Sequence, residues 1–472
     1  MSGKPFQKSF DRSIVDGPIA GAVWKIAWPT VLQNVIGGMQ GVVDHALVGH
    51  YVGFTGNAAV GVSLQIFIVV IVFVMSLYTG MGVLVARATG AGDHETVNRV
   101  VYQGFLASLI MSLLVLAPIG WFAAPYLLQL VNATAAVRAE ALPFLRTMMV
   151  GGIGMMMFFM LGGALRAAGD ARTPLRLGVA LTALNIALNI VFIRGLGPIP
   201  ALGTVGAAIG TVIAGTLVSA TGFGLLLSGR LVVVWHRGMD WSPDWKIIRQ
   251  IFRFGLPTGL QGIAMNVAGV MLLRFIGSLP LSAETQAAYA IGYTELFSFI
   301  TWTSVGLMGA AAAVAGQNLG AGKADRAERA VHIASRMGLG IAATFGVLYL
   351  AIPDLLYGIF GMTDPVVVGI GRDLLRWLSL SGLFITVALT YTGGLQGTGD
   401  TKGPLYISIV SQIGIPLGLC TILQATVGLT ATGIWTAIVL GHMTRAALTV
   451  ARFKRGKWRT IDVGLPRQAP VA

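Results

Sequence analysis

Long apolar stretches recur along the whole chain and limit the folds that it can adopt. Examples are Ile66 to Val85, Val100 to Ala117 and Leu339 to Ala351, and the short polar segments between such stretches hold nearly all the charges. An apolar helix of about 20 residues crosses the hydrocarbon core of a bilayer with its backbone hydrogen bonds satisfied internally. Only 11% of the residues are charged, against about 25% in soluble domains. The pattern predicts an all-α polytopic membrane protein of about twelve transmembrane helices.

The basic residues predict the orientation of the chain in the membrane. The formal net charge is +14, but lysine and arginine are spread along the chain instead of forming one basic face, which argues against nucleic-acid binding. They are dense before the first apolar stretch, in the sixth connection and in the tail, and sparse in the odd-numbered connections. The positive-inside rule therefore predicts cytoplasmic termini and an even number of spans.

An internal repeat predicts how the spans are grouped. The segment Leu165 to Asp170 is similar to Leu395 to Asp400, and Gly90 to Gly92 is similar to Gly320 to Gly322, with the same offset of 230 residues in both cases. Such a repeat is typical of transporters built from two equivalent bundles. We expect two pseudo-symmetric six-helix bundles. The predicted parts are an N-terminal lobe, a cytoplasmic interfacial linker and a C-terminal lobe with a basic cytoplasmic tail, at residues 1–229, 230–245 and 246–472.

Two carboxylates fall within apolar segments once those in the connections are set aside. They are Asp44 and Glu295. An ionised carboxylate inside a bilayer is costly, so it faces a cavity, finds a partner or binds a proton or cation. Asp44 is either a proton acceptor inside the membrane or a residue at the water boundary that pairs with His45 or His50. Glu295 is either a partner of Arg274 or a second titratable group.

Several motifs together resemble the multidrug and toxic compound extrusion (MATE) family of secondary antiporters. The resemblance runs from about Gly17 to Arg455, and the order and spacing of the motifs are more specific than any one of them. The motifs are Pro29 with Val43-Asp44 and Gly49, Arg166 to Pro174, Asn185 with Asn189, and Gly203 with Gly206 to Ala208.

The resemblance implies a secondary active antiporter that exports small organic compounds, cationic and amphipathic, in exchange for protons or sodium. It implies a bacterial inner membrane location. It also assigns a coupling cluster to this chain, namely Asp44, Asn185, Asn189 and Thr211. For the last three, hydrogen bonding between helices is the alternative.

Two further expectations concern structural hinges and the residues needed for sodium coupling. It makes Pro29 and Pro257 structural hinges in spans 1 and 7. Members that couple to sodium in the second lobe carry two acidic residues there, and this chain has Met265 and about Ile385 instead. No cofactor other than the coupling ion is expected.

Six further polar or aromatic residues are candidates to line a substrate cavity. They are Gln33, Asn34, Gln261, Asn266, Tyr289 and Glu295. The expected partners are a small-molecule substrate, a coupling cation and membrane lipid, and we expect a monomer that binds no nucleic acid. Two alternatives remain: a flippase for lipid-linked oligosaccharides of the same superfamily, and a membrane-embedded enzyme. The enzyme is disfavoured because the six histidines are scattered and the sequence suggests no catalytic or metal site.

Overall fold

The computed structural model describes residues 8–131 and 133–465, without the side chains of 70 and 73–75, and these residues are mostly helical. We number the long helical spans α1 to α12: α1, Ile19–Tyr51; α2, Phe54–Ala91; α3, His94–Leu130; α4, Ala135–Gly151 with Ile153–Ala167; α5, Arg172–Arg194; α6, Gly203–Leu227; α7, Trp245–Gly277; α8, Ser282–Gly320; α9, Ala324–Ala351; α10, Pro365–Thr398; α11, Lys402–Thr426; α12, Ala431–Lys454. Short helices cover Ser13–Asp16, Pro353–Ile359 and Lys457–Thr460.

These helices match the predicted number of transmembrane spans. Within the described residues, nine helices are long and apolar enough to cross a membrane, and α4, bent by 49° at Gly152, makes a tenth. Helices α1 and α2, of 33 and 38 residues, bring the total to about twelve. Three spans contain wider π-helical turns within the described residues, at Ser112–Leu116 and Ile119–Ala123 in α3, at Ala290–Leu296 in α8 and at Ile409–Gly414 in α11. The prediction of an all-α polytopic membrane protein is confirmed.

The chain forms two compact units that are not simply its two halves. Of the described residues, unit 1 contains 8–11, 32–131, 133–259 and 463–465, and unit 2 contains 12–31 and 260–462. The division cuts α1 and α7 two residues after Pro29 and Pro257, respectively. Each proline removes a backbone hydrogen bond and weakens its helix locally. The linear lobes 1–229 and 246–472 therefore differ from the contact-based units by the first part of α1, the first part of α7 and the tail.

The internal repeat has a direct counterpart in the backbone. Gly92 and Gly322 have φ of 77° and 75°, and Gly169 and Gly399 have φ of 95° and 105°. These left-handed conformations suit glycine because a side chain would clash with the backbone. Aspartates cap the turns that follow Gly92, Gly169 and Gly399 in the same way. Asp93 accepts a hydrogen bond from the Thr96 amide. Asp170 and Asp400 likewise accept hydrogen bonds from the backbone amides three residues further along the chain.

One helix cap that the sequence predicts, at the start of α9, is not formed. The spacing of Asp325 and Glu328 predicts an N-cap followed by its third-position partner. The helix α9 instead begins at Ala324, with Lys323 at the N-cap position. The Asp325 and Glu328 side chains both accept hydrogen bonds from Arg459. The attraction of a guanidinium, distant in sequence, overrides the local capping pattern.

The connection between α6 and α7 has a buried part and an exposed part. Its Trp235 is buried in unit 1, where the ring packs edge-on against Tyr102 and Phe105 of α3. The Val234 amide donates to Asn98 at 2.9 Å. Trp241 and Trp245 are exposed. The first part of the linker is therefore packed within unit 1, and its interfacial location stays a prediction.

The segment before α1 that belongs to unit 2, residues 12–18, is held within that unit by contacts with Lys323 and Arg326. Lys323 donates to the Asp16 carboxylate at 2.6 Å and to the Val15 carbonyl at 3.2 Å, and Arg326 donates to the Gly17 carbonyl. The hydrogen bond from Lys323 holds the pKa of Asp16 below its usual value. A lowered carboxylate pKa means that the contact persists at neutral pH and is lost only as the pH falls through that lowered value.

Small residues allow α8 and α10 to approach closely inside unit 2. A Cβ atom at Gly393 would lie 2.1 Å from the carbonyl oxygen of Met308, and one at Gly397 would lie 2.1 Å from that of Ala312. Glycines four residues apart place two backbones side by side, as is common where membrane helices pack.

We predict that Gly397→Ala destabilises the protein by about 1–3 kcal/mol, because the added methyl group forces two backbones apart. The measurement is the apparent melting temperature of the purified protein in detergent. Gly418→Ala in α11 is the matched control, since nothing lies within 4 Å of a Cβ atom there. Equal melting temperatures for the two variants would contradict the close packing.

Candidate functional site

A hydrogen-bond network joins α1, α5 and α6 at Asp44. The Asn189 amide nitrogen donates to Asp44 Oδ1 at 2.8 Å and to Asn185 Oδ1 at 3.3 Å. The Asn185 amide nitrogen donates to Thr211 Oγ1 at 2.8 Å, and the Thr211 hydroxyl donates to the Ala207 carbonyl at 2.9 Å. The structure thus brings the four residues of the predicted coupling cluster into one network. Whether they couple transport to a cation stays a prediction.

The surroundings of Asp44 make this network energetically significant. Asn185 and Asn189 have an exposed fraction of 0%, and they lie one helical turn apart on one face of α5. A hydrogen bond to a charged group contributes about 1.5–3 kcal/mol. An ionised aspartate near the centre of a membrane helix costs about 2.5–3.5 kcal/mol. The bond from Asn189 therefore offsets a large part of the cost of keeping Asp44 ionised.

Glycines on α6 set the position of the two asparagines. A Cβ atom at Gly206 would lie 2.4 Å from the Phe192 carbonyl oxygen, and one at Gly210 would lie 2.1 Å from Asn189 Oδ1. That oxygen is buried and has no hydrogen-bond partner among the described residues. The close approach of α5 and α6 therefore depends on the absence of side chains at Gly206 and Gly210.

Asp44 belongs to a polar stripe along α1. One turn earlier, Gln40 Oε1 accepts a hydrogen bond from Thr182 of α5 at 2.9 Å. Two turns further back, Gln33 Oε1 accepts from Arg166 of α4 at 3.0 Å. Gln33 was predicted from the sequence, whereas Gln40 and Thr182 were missed. Their spacing from Asp44 and Asn189 is the signal that would have found them.

The alternative partners of Asp44 have contacts elsewhere. His45 Nδ1 lies 2.7 Å from Asn57 Oδ1, and His50 packs edge-on against Tyr51. No ion pair within 4.0 Å joins Asp44 to either histidine in the described part of the chain. Asp44 is thus held by the amide of α5 and not by a neighbouring histidine on α1.

The described hydrogen bonds of Gln261 and Asn266, two predicted cavity residues of unit 2, are with other groups. Gln261 is buried, donates to Ser408 at 2.7 Å and accepts from Gln396 at 3.3 Å. Asn266 donates to the carbonyl of Gly262 on its own helix at 2.9 Å. The role of both in binding substrate stays a prediction, as does that of Asn34 in unit 1, which is partly buried.

Tyr289 begins a column of stacked rings in unit 2. Its ring lies 6.0 Å from that of Trp435 and 4.9 Å from that of Tyr293, and the column continues through Phe297 to His442. The Tyr289 side chain is buried within this column. The described ring contacts of Tyr289 are therefore with Trp435 and Tyr293.

Glu295 and Arg274 are not an ion pair. Glu295 is partly exposed on α8 and Arg274 is exposed near the end of α7. Among the described residues, none of the ion pairs within 4.0 Å includes either side chain. The pairing of Glu295 with Arg274 is thus not found, and Glu295 remains a candidate titratable group.

About twelve apolar helices, with a carboxylate and amides hydrogen-bonded between three of them, define a polytopic helical membrane protein of the transporter class. The family model MatE matches residues 29–191 and 257–422, which is more than half of the chain. The chain belongs to this family, the multidrug and toxic compound extrusion transporters. The two matched segments correspond to the two copies of the internal repeat.

Individual MATE proteins are similar to this chain over nearly its full length. The chain is 26% identical over 440 residues to the "Probable multidrug resistance protein NorM" of Thermotoga maritima, with 92% of each chain covered. It is 28% identical over 444 residues to the protein of the same name from Deinococcus radiodurans, covering 92% and 94%. A solved structure described as the outward-facing conformation of a multidrug resistance MATE family transporter has the same fold, with a TM-score of 0.86, 22% identity and coverage of 96% and 100%.

We predict that Gly210→Ala displaces the Asn189 amide from Asp44, because a Cβ atom at position 210 would overlap Asn189 Oδ1. The measurement is infrared difference spectroscopy between acidic and alkaline buffer. The carboxyl band that disappears in Asp44→Asn is expected to shift in Gly210→Ala. Gly224→Ala, on the same helix with nothing within 4 Å of its Cβ atom, is the control and leaves the band in place. An unshifted band in Gly210→Ala would argue against the predicted contact.

Proposed function

We propose that this protein is a secondary active antiporter that exports small organic cations in exchange for protons. The observation that carries the proposal is the carboxylate of Asp44, held by Asn189 between membrane helices of unit 1. The names of the relatives from Thermotoga maritima and Deinococcus radiodurans, probable multidrug resistance proteins, support export of several compounds. Cationic, amphipathic compounds are favoured because an ionised Asp44 attracts positive charge.

Protonation of Asp44 changes the bond that holds α1 to α5. In the ionised state the bond from Asn189 is charge-assisted, and such bonds are roughly twice as strong as bonds between neutral groups. Protonation removes the charge, weakens this bond and removes the attraction for a cationic compound. Pro29 lies in the same helix and lets its two parts change their relative direction. A proton and a cationic compound thus compete for the same group, which is the basis of exchange.

Protons are the proposed coupling ions, and sodium is the second choice. The positions at which sodium-coupled members have acidic residues hold Met265 and Ile385 here, and Ile385 is buried. Hard cations such as sodium require oxygen ligands, which these side chains lack. The bacterial relatives favour an inner-membrane location, and the positive-inside rule favours both termini in the cytoplasm.

We predict that Asp44→Asn abolishes gradient-driven transport. The purified protein is reconstituted into lipid vesicles, a pH gradient is imposed, and the accumulation of ethidium, a planar organic cation, is followed by fluorescence. The amide keeps the size of the side chain but cannot bind a proton. Replacing the pH gradient with a sodium gradient separates the two coupling ions.

Asp364→Asn is the control for this experiment. Asp364 caps α10 through the amides of Val366 and Val367, and asparagine caps a helix equally well. The control is expected to transport like the wild type. Undiminished accumulation by Asp44→Asn under the same pH gradient would refute the proposed mechanism.

We also predict that Glu295→Gln lowers the transport rate but leaves its dependence on the pH gradient intact. Glu295 is partly buried and has no ion-pair partner in the described residues, so its effect is expected to come from substrate contact. Arg274→Gln is the companion variant, and the effects of the two substitutions are expected to add. If the two single variants have the same defect and the double variant is no worse than either, Glu295 and Arg274 act as a pair.

A further inference from the structure

Unit 2 contains a buried arginine that the proposed exchange mechanism does not use. Arg445 lies on α12, about 21 Å along the helix from Ala431 and about 13 Å from Lys454. Its exposed fraction is 4%, and that of His442, one turn earlier, is 3%. An arginine keeps its positive charge in proteins, so burial cannot neutralise it.

No negative group accompanies this charge. No carboxylate oxygen lies within 4.0 Å of Arg445, and the guanidinium makes no hydrogen bond, among the described residues. Its Nε atom is buried without a partner. Among the described residues, the carboxylates of unit 2 that form ion pairs with arginine or lysine do so elsewhere: Asp16 with Arg12 and Lys323, Asp354 with Arg372, Asp373 with Arg376, Asp400 with Arg452, and Asp325 and Glu328 with Arg459.

The neighbouring groups are donors or neutral rings. His442 Nδ1 lies 2.5 Å from Ser381 Oγ, and its ring is stacked on Phe297 at 6.1 Å. The Tyr293 phenol belongs to the same ring column, with its ring 5.3 Å from that of Phe297. Neither phenol nor imidazole carries a negative charge at neutral pH. A buried guanidinium surrounded by such groups is suited to an anion, because buried charges are stable when they are paired.

We propose that unit 2 contains a binding site for a monovalent anion at Arg445, with Tyr293 and His442 beside it. The guanidinium presents a planar set of N–H donors, which fits a carboxylate or a halide. The anion is either inorganic chloride or the carboxylate of an organic compound. The site lies in a different unit from Asp44 and does not depend on the exchange mechanism proposed for that residue.

The test measures anion binding in the full-length protein without any transport. The purified protein in detergent is titrated with sodium chloride or sodium benzoate, with sodium isethionate keeping the ionic strength constant, and the melting temperature is recorded. The wild type is expected to show a saturable rise. Arg445→Gln is expected to lose the rise or to need about tenfold more anion, since the charge-assisted contact is removed.

Two further variants keep the result interpretable. Arg274→Gln removes an exposed arginine of the same unit that has no ion pair, and it is expected to titrate like the wild type. Arg445→Lys keeps the charge but not the planar donors, so it is expected to fold and to bind more weakly. It serves as the test variant if Arg445→Gln cannot be purified.

The outcomes are distinct. Stabilisation at lower concentration by benzoate than by chloride identifies an organic carboxylate as the ligand, and the reverse order identifies a halide. A wild type that shows no saturable rise with either anion overturns the proposal. So does a rise that persists unchanged in Arg445→Gln and Arg445→Lys. If no anion binds at Arg445, the proposal of gradient-driven transport through Asp44 is unaffected. If transport through Asp44 fails, the anion titration can still be interpreted.

Discussion

The lack of water in the hydrocarbon core is the constraint on which the rest of this structure depends. A polar group inside the membrane is costly unless it finds a partner within the protein, because lipid offers none. The helices satisfy their own backbone, and the side chains of α1, α5 and α6 satisfy one another. A charge-assisted bond of about 1.5–3 kcal/mol is comparable to the cost of an ionised carboxylate on a membrane helix. The bond from Asn189 therefore offsets part of the cost of an ionised Asp44, which the proposed proton-coupled exchange requires.

Glycine supplies the geometry that this balance needs. An amide can reach a carboxylate on another helix only if the backbones are close, and side chains as small as alanine prevent this at Gly210. The same device brings α8 and α10 together at Gly393 and Gly397 in unit 2. The high glycine content, 64 of 472 residues, thus reflects helix packing and tight turns in a membrane protein.

Local and periodic features of the sequence predicted much of the architecture. The offset of 230 residues predicted corresponding turns, and Gly169 and Gly399 adopt the same left-handed conformation. The grouping of Asp44 with Asn189 came from the family resemblance, since no local pattern links residues 145 positions apart. Contacts set by packing were missed: Gln40 with Thr182, and Arg459 with Asp325 in place of a helix cap. Such pairs depend on which helix faces are adjacent, which a single sequence does not encode locally.

The functional residues predicted from the sequence include carboxylates in apolar segments but not Arg445, a buried arginine of α12. Physical chemistry makes no such distinction, because a membrane helix excludes a guanidinium and a carboxylate for the same reason. A buried carboxylate and a buried guanidinium are stabilised in different ways. A carboxylate can be protonated, whereas an arginine retains its charge and requires a counter-charge. In unit 1 the buried charge is negative and is held by an amide. In unit 2 it is positive and lies beside rings and donors, so the two proposed sites take ligands of opposite sign.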